Sequence, residues 1–221
     1  MWQFLRLPFI YLPTIFIFLV VLAPGCDDAM FYFQTNVLHF TNNELAISNV
    51  LCSVANIIGV WSYRFFFKDV PFKKMIVITT LCFSLASLSK LMVTQQVTYD
   101  VGLSPIAFTY ISQLFYTFVN ELHLMPLMVL AAKMCPKQVE ASFYAFVLAV
   151  INLGYLVSYQ LGGILTYSLG ITATNFKNLW ILVVLASVFP LLTQVLLLCL
   201  PEKYDVNEEI GKYFLMRKER K

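Results

Sequence analysis

Hydrophobic positions in this chain fall in long, nearly continuous runs, and the polar residues collect in the short gaps between them. Neither the alternation of a half-buried strand nor the narrow stripe of a soluble amphipathic helix accounts for such runs. Most of them supply the ~20 apolar residues that a helix needs to cross ~30 Å of hydrocarbon. The pattern predicts helices over 45–63, 75–93, 105–132, 141–169 and 179–200. The first run, 7–40, is broken at Pro24-Gly25, carries Asp27 and Asp28, and resumes at Ala29. It reads as one interrupted helix, or as a helix followed by a half-helix. The expected fold class is an all-α integral membrane protein: a bundle of six transmembrane helices over 1–200, followed by a charged tail over 201–221. Barrel strands are excluded because the runs are too long and do not alternate.

Several gaps carry helix-end chemistry. In Thr41-Asn42-Asn43-Glu44 the Thr side chain and the Glu three residues later can satisfy each other's orphan backbone N–H groups. Ser104 before Pro105 reads as an N-cap followed by proline in the first turn, not as a serine nucleophile. An Asp after Pro24-Gly25 can cap the segment beginning at Ala29, where the helix dipole favours an anion. A rise of ~1.5 Å per residue from Arg6 puts Asp27 and Asp28 near the far membrane interface.

Composition agrees with the pattern: 60% hydrophobic and 12% charged residues, with a mean hydropathy of +0.77, exclude a water-soluble globule of 221 residues. Of the 15 Lys and Arg residues, all but Lys90 and Lys177 fall at Arg6, in the 64–74 and 133–137 loops, or in the tail. These segments share one face, so both termini are expected in the cytoplasm. That asymmetry explains the net charge of +3 without a nucleic-acid partner. A cleaved secretory signal ending near Ala23 is the competing reading of the first helix, disfavoured by Pro24 and by the aromatic run beyond it. Cys26, Cys52, Cys82, Cys135 and Cys199 are scattered with no close pair and read as small core residues, not as a disulfide frame or metal site.

Polar side chains inside the apolar runs are costly unless they face a cavity or a partner. They recur on faces: Asn49, Ser53 and Asn56; Thr80, Ser84 and Ser87, leading to Lys90; Gln113, Thr117 and Glu121; Asn152, Tyr155, Tyr159 and Thr166. Two readings stand side by side, a wet path lined by these residues and helix–helix glue. Ser158-x-x-x-Gly162 and Gly163 are expected to be close packing. Glu121 is hard to explain by packing alone, the alternative being a pairing with His123 or a lysine. Broken helices such as the one bearing Asp27 and Asp28 border substrate paths in secondary transporters, against the alternative of a capped surface half-helix.

Phe31-Tyr32-Phe33, Thr35-Asn36, Leu38-x-Phe40 and Val70-Pro71-Phe72-Lys73-Lys74 resemble the folate-biopterin transporter family of the major facilitator superfamily. The longest match is the run from Met125 to Ala141, whose Cys135-Pro136-x-x-x-Glu140-Ala141 segment is the specific part; Asn152, Leu161-Gly162-Gly163 and Leu200-Pro201-Glu202 extend it. His39 and Ala46 stand where the family pattern would place glycine, which puts the form of the first outer turn in doubt. The resemblance covers nearly the whole chain but only the second half of a twelve-helix fold. It implies either a fragment or a natural half-protein, with the second six-helix half in the same full-length chain or another.

The resemblance implies alternating access, with folate, biopterin or a related pteridine bound near the midplane and driven by a proton gradient. Asn49, Asn56, Lys90, Glu121, Asn152, Tyr155 and Tyr159 are the substrate-path candidates. Tyrosines would stack on the ring, amides would read its edge and Lys90 would meet a carboxylate. Glu121, with Asp27 and Asp28, are the proton-coupling candidates. No cofactor or metal is expected. Enzyme motifs such as His-Glu-x-x-His and Gly-x-Ser-x-Gly are absent from the sequence. The other class held open is a non-transporting partner subunit that docks on another polytopic chain. Plasma membrane and organelle envelope are both compatible with the sequence.

Overall fold

The computed structural model describes residues 7–95, 104–135 and 139–199. Arg6, Pro136 to Gln138, Leu200 and the 201–221 tail, all used above, lie outside the described residues. The helices are α1 (Pro8–Val21), α2 (Asp27–Asn36), α3 (Asn42–Ser62), α4 (Phe72–Thr94), α5 (Pro105–Lys133), α6 (Glu140–Ser168) and α7 (Leu179–Thr193). A π-helical turn, Tyr63–Phe67, extends α3, and a 3-10 turn, Gln194–Cys199, extends α7. Among the described residues, five segments are long and apolar enough to cross a membrane, and Phe9–Val21 is a shorter apolar helix. The chain is an all-helical, multi-pass membrane protein.

Helix ends differ from the sequence pattern where local chemistry outweighs hydropathy. α3 begins at Asn42 because Thr41 completes the capping box: its N–H donates to Glu44 Oε2 at 2.7 Å, and its Oγ1 accepts from the Glu44 N–H at 3.4 Å. Beyond Ser62 the helix continues through Arg64 to Phe67, residues assigned above to a loop for their charge; Trp61 and Phe65 pack edge-on at 5.2 Å across the extension. Ser104 occupies the N-cap of α5 with Pro105 in the first turn, but its side chain makes no capping hydrogen bond. α2 starts at Asp27, not at Ala29, and neither aspartate caps it; both sit in its first turn, where the dipole still favours them.

The 14 residues of α1 rise ~21 Å, and the break and α2 carry the chain on from their end. A broken helix in lipid leaves backbone groups without partners, and α6 supplies them. The Gly25 N–H donates to the Ser158 carbonyl at 3.2 Å, and the Ser158 hydroxyl donates to the Ala23 carbonyl. Gly162 makes the approach possible, since a Cβ there would overlap the Gly25 carbonyl. Gly163 has no such role: a Cβ on it would meet nothing within 4 Å, so the packing expected for both glycines holds for Gly162 alone.

α5 packs against α3 and α4, α4 also packs against α7, and α1 packs along α6. One apolar cluster joins Ile10, Phe16 and Ile17 to Leu130, Phe143 and Val147; a second joins Met30 and Phe33 to Val93, Leu179 and Val183. The helix break lies between them. His39 adopts φ 54°, the left-handed region that a non-glycine side chain rarely enters. This is one of the two positions where the family pattern would place glycine. Cys26 is buried and Cys82 exposed, so the reading of the cysteines as core residues fails for Cys82, which faces outward from α4.

Candidate functional site

At the break the first turn of α2 meets the last turns of α4. The Lys90 ammonium donates to Asp27 Oδ1 at 2.9 Å, lies 3.8 Å above the centroid of the Tyr116 ring, and is 3.8 Å from Cys26 Sγ. The Lys90 side chain is 10% exposed and that of Asp27 58%. A lone ammonium at this depth would be costly. Here it has a carboxylate on one side and the negative face of an aromatic ring on the other. It is the one salt bridge among the described residues.

Two cavities meet at this pair. The smaller, about 230 Å³, is partly enclosed by the break, α4, α5 and α6, with Phe83, Tyr116, Asn120, His123 and Tyr155 in its walls. The larger, about 680 Å³, lies between α2, α3, α4 and α5 and takes in Asp28, Asn49, Asn56, Gln113 and Thr117. Asp27, Lys90, Tyr116 and Tyr159 line both. The arrangement offers aromatic faces, amide edges and one charge pair, and the larger of the two cavities has the volume of a small-molecule pocket.

The candidates from the sequence are thus distributed unevenly. Lys90, Asp27 and Tyr159 converge on the shared wall, Tyr155 on the enclosed cavity, and Asn49, Asn56 and Asp28 on the larger one. Glu121 and Asn152 line neither. Asn152 is exposed on α6, one turn from Tyr155. Glu121 is half-buried against α3, where Gly59 makes room for its stem: a Cβ on Gly59 would fall 2.8 Å from Glu121 Cβ. Among the described residues Glu121 pairs with neither His123 nor a lysine.

Sequence reasoning missed part of the interior face of α5. Of the stripe chosen there, Gln113 and Thr117 line the larger cavity and Glu121 lines neither, whereas the stripe one residue earlier, Ser112, Tyr116 and Asn120, lines the two cavities throughout, together with His123. One position on a helix is a rotation of ~100°. The signal was available: Tyr116, Asn120 and His123 are spaced i, i+4 and i+7. Tyrosine, near neutral in hydropathy, does not stand out in an apolar run, and His123 was weighed only as a partner for Glu121.

An all-helical membrane bundle whose interior holds a charge pair at a broken helix, on the wall shared by two cavities, belongs to the broad class of polytopic membrane proteins. The family is identified by comparison: the BT1 family profile matches residues 1–215, and the chain belongs to that family. It is 36% identical over 200 residues to "Folate-biopterin transporter" of Synechocystis sp., covering 90% of this chain and 40% of the relative. It is 30% identical over 214 residues to "Folate transporter 2" of Plasmodium falciparum, covering 95% and 47%. It is 28% identical over 211 residues to "Probable folate-biopterin transporter 2" of Arabidopsis thaliana, covering 94% and 42%. The chain spans less than half the length of these relatives. No solved structure matches it.

Proposed function

We propose that this chain forms one six-helix half, over 1–200, of a secondary transporter of folate, biopterin or a related pteridine, with the fold of the major facilitator superfamily. The observation that carries this reading is the Asp27–Lys90 pair, set at a helix break on the wall shared by two cavities. Folate presents a flat heterocycle and carboxylates. Lys90 exchanges Asp27 for a ligand carboxylate, so the buried ammonium keeps a counter-ion in both states. Tyr155 and Tyr159 stack on the ring, and Asn49 and Asn56 read polar edges from the larger cavity. Asn152, exposed on α6, meets ligand only when the second six-helix half closes the path from the other side. Alternating access carries the ligand across, with both termini and the 201–221 tail cytoplasmic.

Transport is coupled to protons through Glu121, a half-buried carboxyl without a partner among the described residues, with Asp27 and Asp28 in a secondary role. Both assignments are tested in a chimera in which this chain replaces the matching region of the Synechocystis relative. Folate uptake into vesicles is expected to rise with an inward proton gradient. Lys90→Met should abolish folate uptake, and Glu121→Gln should flatten its pH dependence. A correctly inserted chimera that takes up neither folate nor biopterin would overturn the transport reading. Unchanged pH dependence in Glu121→Gln would remove Glu121 from the coupling.

A further inference from the structure

The enclosed cavity contains a histidine that none of the roles above uses. His123 is buried on α5, its ring stacked on Phe83 at 5.4 Å between centroids and 19° between planes. Its Nδ1 lies 3.3 Å from Thr79 Oγ1 and 3.4 Å from Thr80 Oγ1. Each hydroxyl has one proton to give, and closer acceptors take both. Thr79 donates to the Met75 carbonyl at 2.9 Å, and Thr80 donates to the Ile76 carbonyl at 2.8 Å. Thr80 Oγ1 also accepts from the Gln194 amide at 2.7 Å. Two oxygens whose protons are already committed can only accept from Nδ1. The neutral ring is therefore held as its Nδ1–H tautomer, which leaves a lone pair on Nε2. Among the described residues Nε2 has no hydrogen-bond partner, and the ring forms part of the cavity wall.

We infer that His123 is a ligand-binding residue: fixed by Thr79 and Thr80 as the Nδ1–H tautomer, it presents Nε2 as a hydrogen-bond acceptor to an N–H or amino donor on a flat heterocycle in the enclosed cavity. The inference rests on the transport reading and deepens it by dividing the ligand between the two cavities. Phe83, Tyr116 and Tyr155 give the smaller space aromatic walls, and Asn120 is a second polar residue in its lining. A pterin carries N–H and amino donors along one edge and fits that description without a tail. The acidic tail of a folate would leave past Lys90 into the larger cavity. His123 is thus a residue for the ring, shared by pterins and folates, whereas Lys90 serves only ligands with a carboxylate.

The test uses the full 221-residue chain in lipid nanodiscs, labelled with 15N at its two histidines. His123→Asn assigns the signals. This variant keeps an N–H donor toward Thr79 and Thr80 but has no atom at Nε2; the ring's stack on Phe83 is lost with it, so a thermal midpoint near that of wild type is what assigns a loss of affinity to Nε2. The wild type is expected to show the Nδ1–H tautomer, with an Nε2 resonance that moves when unsubstituted pterin is added. Pterin binding, followed by its own fluorescence, should weaken about tenfold in His123→Asn, the worth of one hydrogen bond. The thermal midpoint should stay near that of wild type. An Nε2–H tautomer in the free protein overturns the inference. Pterin affinity unchanged in His123→Asn overturns the ligand role alone. A wild-type chain that binds no pterin overturns the ligand role of His123, while the transport reading is decided separately by uptake in the chimera.

Discussion

α3 and α4 carry the same sequence signature and use it in opposite ways. Asn49, Ser53 and Asn56 on α3 have the same spacing as Thr80, Ser84 and Ser87 on α4. On α4 all three residues, and Lys90 beyond them, are buried between α5 and α7. On α3 all three are exposed, because α3 is held mainly by α5 and, among the described residues, no second helix covers its far side. Thr80 is tied to Ile76, His123 and Gln194, while the side chains of Asn49 and Asn56 have no hydrogen bond among the described residues. A polar stripe in a membrane helix therefore says that lipid is avoided there. Whether protein or a wet groove takes its place depends on the number of neighbours.

The contrast is broken most forcefully at the end of the α4 stripe. Asp27→Ala leaves the buried Lys90 ammonium with only the Tyr116 ring. It should cost about 2–3 kcal/mol, at the low end for a broken buried pair because Asp27 is itself largely open to solvent. Thermal unfolding in detergent reads the loss, and adding Lys90→Met to Asp27→Ala should restore part of it. If the double variant is no better than the single, the pair does not hold the break to α4.

A second test lies in α6, where neighbouring glycines have opposite surroundings. Gly162→Ala drives a methyl into the Gly25 backbone and should destabilise by about 2 kcal/mol. Gly163→Ala fills open space in a helix and should be neutral or stabilising by up to about 1 kcal/mol. Equal effects would mean that the α1–α2 break does not rest on α6 as described.

Thr80→Val keeps the shape of the α4 stripe but removes the oxygen that receives Gln194 and His123. A loss of about 1–2 kcal/mol is expected from the stranded amide. Asn49→Ala and Asn56→Ala, on the open stripe, should shift stability by less than about 0.5 kcal/mol. In the proposed role they should nevertheless lower folate uptake by the chimera several-fold. Asparagine variants as unstable as Thr80→Val would erase the distinction between the two helices.

Most of the helices were legible because lipid imposes a one-dimensional rule: ~20 apolar residues make a crossing, and backbone groups are satisfied within the helix. The discontinuity at Pro24-Gly25 was legible for the same reason, since proline and glycine remove what a continuous helix requires. Its supports were not. Ser158 and Gly162 lie far away in the chain, and nothing near Gly25 points to them.

The candidate site divides along the same line. The sequence alone determined that Lys90, Asp27 and Glu121 are costly in an apolar setting, and that tyrosines and amides line particular helix faces. Only the tertiary structure decided that Lys90 takes Asp27 as its partner, that Glu121 stands apart against Gly59, and that the inward face of α5 carries Tyr116 and His123. The physical reason is that the cost of burying a charge or an amide belongs to the residue, whereas what offsets that cost belongs to the neighbours. Neighbours are set by how helices rotate and pack, and a rotation of one residue, ~100°, exchanges a lipid-facing side chain for one that faces a cavity.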